Sequence, residues 1–156
     1  MSESASARVN YEKTPIYETL VDDYGVFGSY VDFFVFAATL GFNKGKVVRE
    51  GYEGDNEMLW MHLQKKDLYR VVAASIAFQD TKDPAALLNP KKQLQILAQY
   101  AAGGAQIAAE EFGDVTGDPT DAVVTYLQAN HRDEDQEEDE TILSEIKLDF
   151  ENNSPV

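Results

Sequence analysis

Ser29-Tyr-Val-Asp-Phe-Phe-Val-Phe-Ala-Ala-Thr-Leu-Gly41, continued by Phe42-Asn-Lys-Gly-Lys46, is the stretch on which the fold turns. A serine can accept hydrogen bonds from the free amides of a first helical turn, and a glycine can take the left-handed conformation that ends a helix. The spacing therefore predicts a helix from Ser29 to Gly41. Asp32, three residues after the serine, stands where a capping box carries its acid, so its carboxylate is expected as a cap. Between these marks Tyr30, Val31, Phe33, Phe34, Val35, Phe36, Ala37, Ala38 and Leu40 cover every side of the cylinder. A helix apolar all round is a buried one. It is too short to cross a bilayer, which takes about 20 residues, so it reads as the central core helix.

The rest of the chain is read outward from that helix. Its 156 residues, 44% of them hydrophobic and 11% aromatic, are enough to fill one independent core. There is no cysteine, which excludes disulfides, thiolate metal sites and cysteine nucleophiles. No secretion signal or long apolar run appears, so a cytoplasmic location is expected. The net charge of −15 is unevenly spread. Residues 1–41 carry six acids and two bases, residues 42–100 seven acids and nine bases, and residues 101–156 fifteen acids and two bases. A high-salt host would explain general acidity. Concentration at one end points instead to an acidic tail that meets a basic surface.

Residues 1–14 are polar and without periodicity, and a loose terminus is expected there. Pro15 to Asp23 places Ile16, Leu20 and Val21 at helical spacing behind a first-turn proline. Residues 50–56 read as a loop, and a helix in pieces is expected from Glu57 to Gln79, with Leu68, Val71, Val72, Ser75 and Ile76 as its apolar face. Asn89-Pro90 is a cap followed by a first-position proline, and Leu94, Leu97, Ala98, Ala101 and Ala102 descend one side of the helix that follows. Gly103-Gly104 inside that helix costs about 1 kcal/mol per glycine, which close approach of another helix or a break would explain. Thr116-Gly-Asp-Pro119 opens a last helix ending near Asn130. Asp133 to Glu140 holds seven acids in eight positions, a self-repelling block. The pattern predicts an all-α fold: one compact domain of five or six helices over 15–130, after a loose 1–14 and before an acidic tail, 131–156. Within that tail Ile142, Leu143, Ile146, Leu148 and Phe150 form an apolar group suited to docking on a partner or on the chain's own domain.

Chemistry is sparse. Gly41 to Lys46 is no phosphate loop, since only three residues separate Gly41 from Gly45 and Val47 stands where a hydroxyl should bind magnesium. His62 and His131 fall in different segments without the companions of a metal helix. With no nucleophile, tuned acid–base pair or metal set, a non-enzyme without cofactor is expected. Lys44, Lys46, Arg49, Lys65, Lys66 and Arg70 could together form a basic surface for phosphate contacts, or could be ordinary solvated charge.

Val35-Phe-Ala-Ala-Thr-Leu-Gly-Phe-Asn-Lys-Gly-Lys46, followed by Tyr100-Ala-Ala-Gly-Gly104, resembles the DNA phosphorothioation (dnd) system-associated protein 4 family. The likeness covers about residues 27–112. It implies an accessory role, without catalytic residues to transfer, in gene clusters that place sulfur in the DNA backbone or restrict DNA lacking that mark. The expected partners are other proteins of such a modification and restriction complex, DNA weakly, and a further copy of the chain through the apolar helix and the Gly103-Gly104 patch. A competing expectation is an acidic DNA mimic or inhibitor bound to the basic surface of a DNA-binding protein. A third is a regulator with a small-molecule pocket beside Phe33–Phe36.

Overall fold

The chain divides into two compact units, Met1–Pro119 and Thr120–Val156, and the computed structural model describes residues 6–130 of it. The docking residues Ile142, Leu143, Ile146, Leu148 and Phe150 and the acidic block lie outside the described residues. In the first unit the order is β1 (Arg8–Tyr11), α1 (Pro15–Tyr17), a π-helical turn (Glu18–Asp23), α2 (Tyr30–Lys44), β2 (Asn56–Leu59), α3 (Trp60–Leu63), α4 (Asp67–Thr81), a 3-10 turn (Pro84–Leu88) and α5 (Pro90–Phe112). In the second, residues 120–130 are helical. The fold is helical, as the periodicity predicts, with one small sheet among the described residues.

The central helix starts where the sequence places it. The Ser29 hydroxyl accepts from the Asp32 amide, and Phe33, Phe34, Val35, Ala37, Ala38, Leu40 and Gly41 are buried. Burying each large side chain contributes roughly 1.5–3 kcal/mol, so this helix supplies much of the apolar stabilisation. Its end differs from expectation. Helix α2 runs through Gly41 to Lys44, and the left-handed cap is Gly45, at φ 68°. Gly41 has a different task, because α2 crosses α5 there. A Cβ on Gly41 would run into the Tyr100 carbonyl, one on Gly104 into the Ala37 carbonyl, and one on Gly103 into the Lys46 carbonyl. Of the two explanations open for Gly103-Gly104, close approach of another helix is the one realised: α5 continues unbroken through them. These glycines are used inside the chain, so the Gly103-Gly104 patch does not present itself to a second copy.

Two expectations at the start of the chain need correction. Residues 8–11 are a strand, not a loose end, and residues 56–59, read as loop and helix start, pair with it antiparallel in the register Arg8↔Leu59 to Tyr11↔Asn56. Tyr11 is buried, with its ring 5.5 Å from Tyr17 and 5.4 Å from Phe34. The strand is held because its one large inward side chain joins the aromatic cluster of α1 and α2. The face of α4 also differs. Ala73, Ile76 and Ala77 are its buried residues, whereas Leu68 and Val71, expected inward, are 67% and 61% exposed. The 3–4 spacing is compatible with either face, and the smaller alanines are the ones that allow α4 to approach α5. Asn89 caps α5 through its side chain on the Lys92 amide, with Pro90 in the first turn, and Gly113 follows its end.

Candidate functional site

The six cations singled out in sequence do not form one surface. They fall into two groups near opposite ends of α2. Lys66 donates to Asp32 in the first turn of α2 at 2.9 Å, while Lys44 closes the last turn and Lys46 follows it. The intervening helix rises about 18 Å at 1.5 Å per residue. Lengthwise separation of this kind is invisible in a linear list of charges.

At the first end, Asp32 accepts from the ammonium of Lys66 and from the Tyr69 hydroxyl at 2.5 Å. The expected cap is therefore a tie: the serine alone caps, and the Asp32 carboxylate fastens the start of α2 to the start of α4. Burial by itself would raise the pKa of Asp32, but the bonds from Tyr69, Lys66 and Ser29 hold it below the ordinary 3.8. Lys66 is correspondingly raised by its bond to Asp32. Arg70 pairs with Asp67 one turn earlier on α4, and Lys65 is exposed in the turn between α3 and α4.

At the second end, Arg49 lies in the segment between α2 and β2, whose path is pinned by the Val48 amide on the Gln99 carbonyl at 3.0 Å. Its guanidinium donates to both oxygens of Asp80, at 2.5 and 3.2 Å, and to Gln99 Oε1 at 2.6 Å. The Tyr100 hydroxyl donates to Asp80 at 2.6 Å, and the guanidinium lies 5.6 Å from the Tyr100 ring centre. Asp80, with a side chain only 11% exposed, is the hub of this network. Burial would raise it, yet Arg49 and Tyr100 keep it below 3.8. Arg49 is raised, chiefly by Asp80, and Tyr100 is raised by burial and by its bond to Asp80. Lys46 sits 3.9 Å from Glu110, and Lys44 is exposed.

Sequence reading missed Asp80, Gln99 and Tyr100 as the partners of Arg49. Tyr100 was in view as part of a motif, but nothing in the spacing ties it to position 49. The partners are reached only when α5 crosses α2 and brings the end of α4 alongside. Every displaced group in both networks moves away from neutral pH: the aspartates down, the tyrosines, lysine and arginine up. Each group therefore keeps its ordinary protonation state near neutrality, the aspartates, Lys66 and Arg49 charged and the tyrosines neutral. Among the described residues, no group of three or more His, Cys, Asp or Glu is placed to hold a metal ion, and no helix is long and apolar enough to cross a membrane.

The two stretches that carry the resemblance meet each other. Ala37 and Gly41 of the first touch Tyr100 and Gly104 of the second in the α2–α5 crossing, and Lys46 lies against Gly103. The motif is thus a packing motif. No curated protein and no solved structure matches the chain. The family DNA sulphur modification system-associated protein 4 matches residues 7–146. The chain belongs to that family, and through it is associated with a DNA sulphur modification system.

Proposed function

We propose that the chain is a non-enzymatic accessory protein of a DNA phosphorothioation modification and restriction system, acting as an adaptor through contacts with other proteins and touching DNA only weakly. The observation that supports this most is the state of its cations. Lys46, Arg49, Lys66 and Arg70 each face a carboxylate of the same chain. Arg49 and Lys66 are spent on tying elements together, so a phosphate backbone would have to displace Asp80 or Asp32 from bonds that also involve Tyr100 or Tyr69, while Lys46 and Arg70 sit in exposed pairs. The net charge of −15 opposes that approach further.

Titration of the full chain against a labelled DNA duplex, with and without sulfur in its backbone, tests the reading. Binding weaker than about 100 μM at physiological salt is expected for both duplexes. Saturable binding near 1 μM that is lost in the Lys44→Glu, Lys46→Glu double variant would overturn it. The fifteen acids against two bases in residues 101–156 favour a second reading, an acidic surface offered to a basic face of a DNA-binding component. Deletion of residues 131–156 separates the two. An adaptor using the first unit keeps its partner, whereas a mimic loses it.

A further inference from the structure

A groove of about 550 Å³ opens between the first turns of α4 and the 3-10 turn, walled by Trp60, Val71, Leu87, Leu88, Pro90 and Gln93. Its apolar rim is exposed to an unusual degree. Leu88 is 87% exposed, Leu87 46%, and Val71 and its neighbour Leu68 more than half. The turn Pro84–Leu88 is made entirely of apolar residues and buries only Ala86. An exposed apolar group of this kind on a strongly charged chain marks a contact surface. Polarity inside the groove is just as specific. Gln93 is 3% exposed and donates through Nε2 to the Ala86 carbonyl at 2.8 Å, which fixes its amide, while its Oε1 has no partner. A buried acceptor without a donor costs about 1–3 kcal/mol, and a ligand that brings an N–H or O–H recovers it.

The charge around this surface is opposite to that of the chain. A second hollow of about 780 Å³ shares Leu88 and Pro90 with the groove. Their combined walls carry Arg8, Arg70 and Lys91 against one carboxylate, Asp67. Arg8 and Arg70 are in exposed ion pairs with Glu57 and Asp67, which are worth little and are readily exchanged. Aliphatic rims give nucleic-acid bases nothing to stack on, whereas the local cations suit carboxylates.

We propose that this groove is the docking site for an acidic segment of a partner protein that seats a bulky apolar side chain against Trp60, Val71 and Leu88, donates a hydrogen bond to Gln93 and sets its carboxylates beside Arg70 and Lys91. The proposal rests on the adaptor reading and deepens it by naming the surface. It is tested by placing the photo-cross-linker benzoylphenylalanine at exposed Leu87 in the tagged full chain, irradiating cells of the native host, and sequencing the peptide attached. The expected result is a cross-link to a net-acidic segment of another protein, with a yield that falls roughly tenfold or more in Leu88→Asp, as for an interface hot spot, and also falls in Lys91→Glu. Leu88 is exposed, so the variant keeps its fold, which an unchanged melting temperature verifies. A synthetic peptide of the cross-linked sequence then shifts the emission of Trp60, the one tryptophan of the chain. No cross-link, or one to a basic segment, to nucleic acid or to this same chain, overturns the proposal. Capture of the tagged chain without irradiation separates the two levels. Partner recovery that is equal for wild type and Leu88→Asp leaves the adaptor reading standing and removes the groove. Recovery of no partner with wild type removes both.

Discussion

A methyl group on Gly104 would meet the carbonyl of Ala37, and one on Gly41 the carbonyl of Tyr100. Backbone cannot swing aside as a flexible side chain can, so the helices themselves would have to separate. In an exposed helix a glycine-to-alanine change stabilises by about 1 kcal/mol. At position 104 the sign should reverse: Gly104→Ala is expected to cost about 3 kcal/mol, the upper end for overpacking, read as a lowered urea midpoint. The glycine pair was legible in sequence as a cost in need of an explanation, but its partner helix was not. The same holds for Arg49, whose charge is obvious in the sequence and whose partners arrive only with the tertiary fold. Asp80 allows a pH test of that network. Its pKa is depressed on folding, so its contribution is present above the ordinary value of 3.8 and lost as pH falls through the lower folded value. Asp80→Asn should therefore be less stable than wild type by about 1–3 kcal/mol near neutrality. The difference should hold constant down to about pH 5 and shrink below 3.8. A difference that persists unchanged at the most acid pH would show that the carboxylate is not the source.

Among the elements, α2 and α5 were readable because each carries its own punctuation: Ser29 at the start of one, whose stop was read at Gly41 and falls at Gly45, and Asn89, Pro90 and Gly113 on the other. The short strands β1 and β2 carry none. Each is four residues long, and their pairing joins positions 8–11 to 56–59 around the whole of α2, so no local turn signal announces it. The strand nevertheless contributes Tyr11 to the aromatic cluster with Tyr17 and Phe34. Removal of residues 1–11 is thus expected to lower the melting temperature by several degrees, since loss of a buried aromatic costs about 3–5 kcal/mol, and Tyr11→Ala alone should reproduce most of the loss. An unchanged melting temperature would return this end of the chain to the loose segment that composition suggests. For α4, the apolar residues Leu68 and Val71 were visible but their direction was not, because alternate faces of a short helix satisfy the same spacing. The outward face is what gives the groove its rim.

Taken as a whole molecule, the chain combines a packing motif where α2 crosses α5, two charge networks that hold helices together, and an apolar groove whose rim is locally basic. Among the described residues, none of the displaced ionisable groups is moved into the neutral range. The candidate site was legible in part: all six cations are where their local elements put them, but the single basic surface dissolves once α2 separates them. The groove had one signal in sequence, the run Pro84-Ala-Ala-Leu-Leu88 between two helices, where an apolar turn has no core of its own to enter. The adaptor reading is tested most directly by affinity capture of the tagged full chain from its native host, at the host's own salt, with and without nuclease. Recovery of a component of the DNA sulphur modification machinery, undiminished by nuclease, is the predicted result. Recovery of the chain alone, or of partners that disappear when DNA is digested, would contradict it.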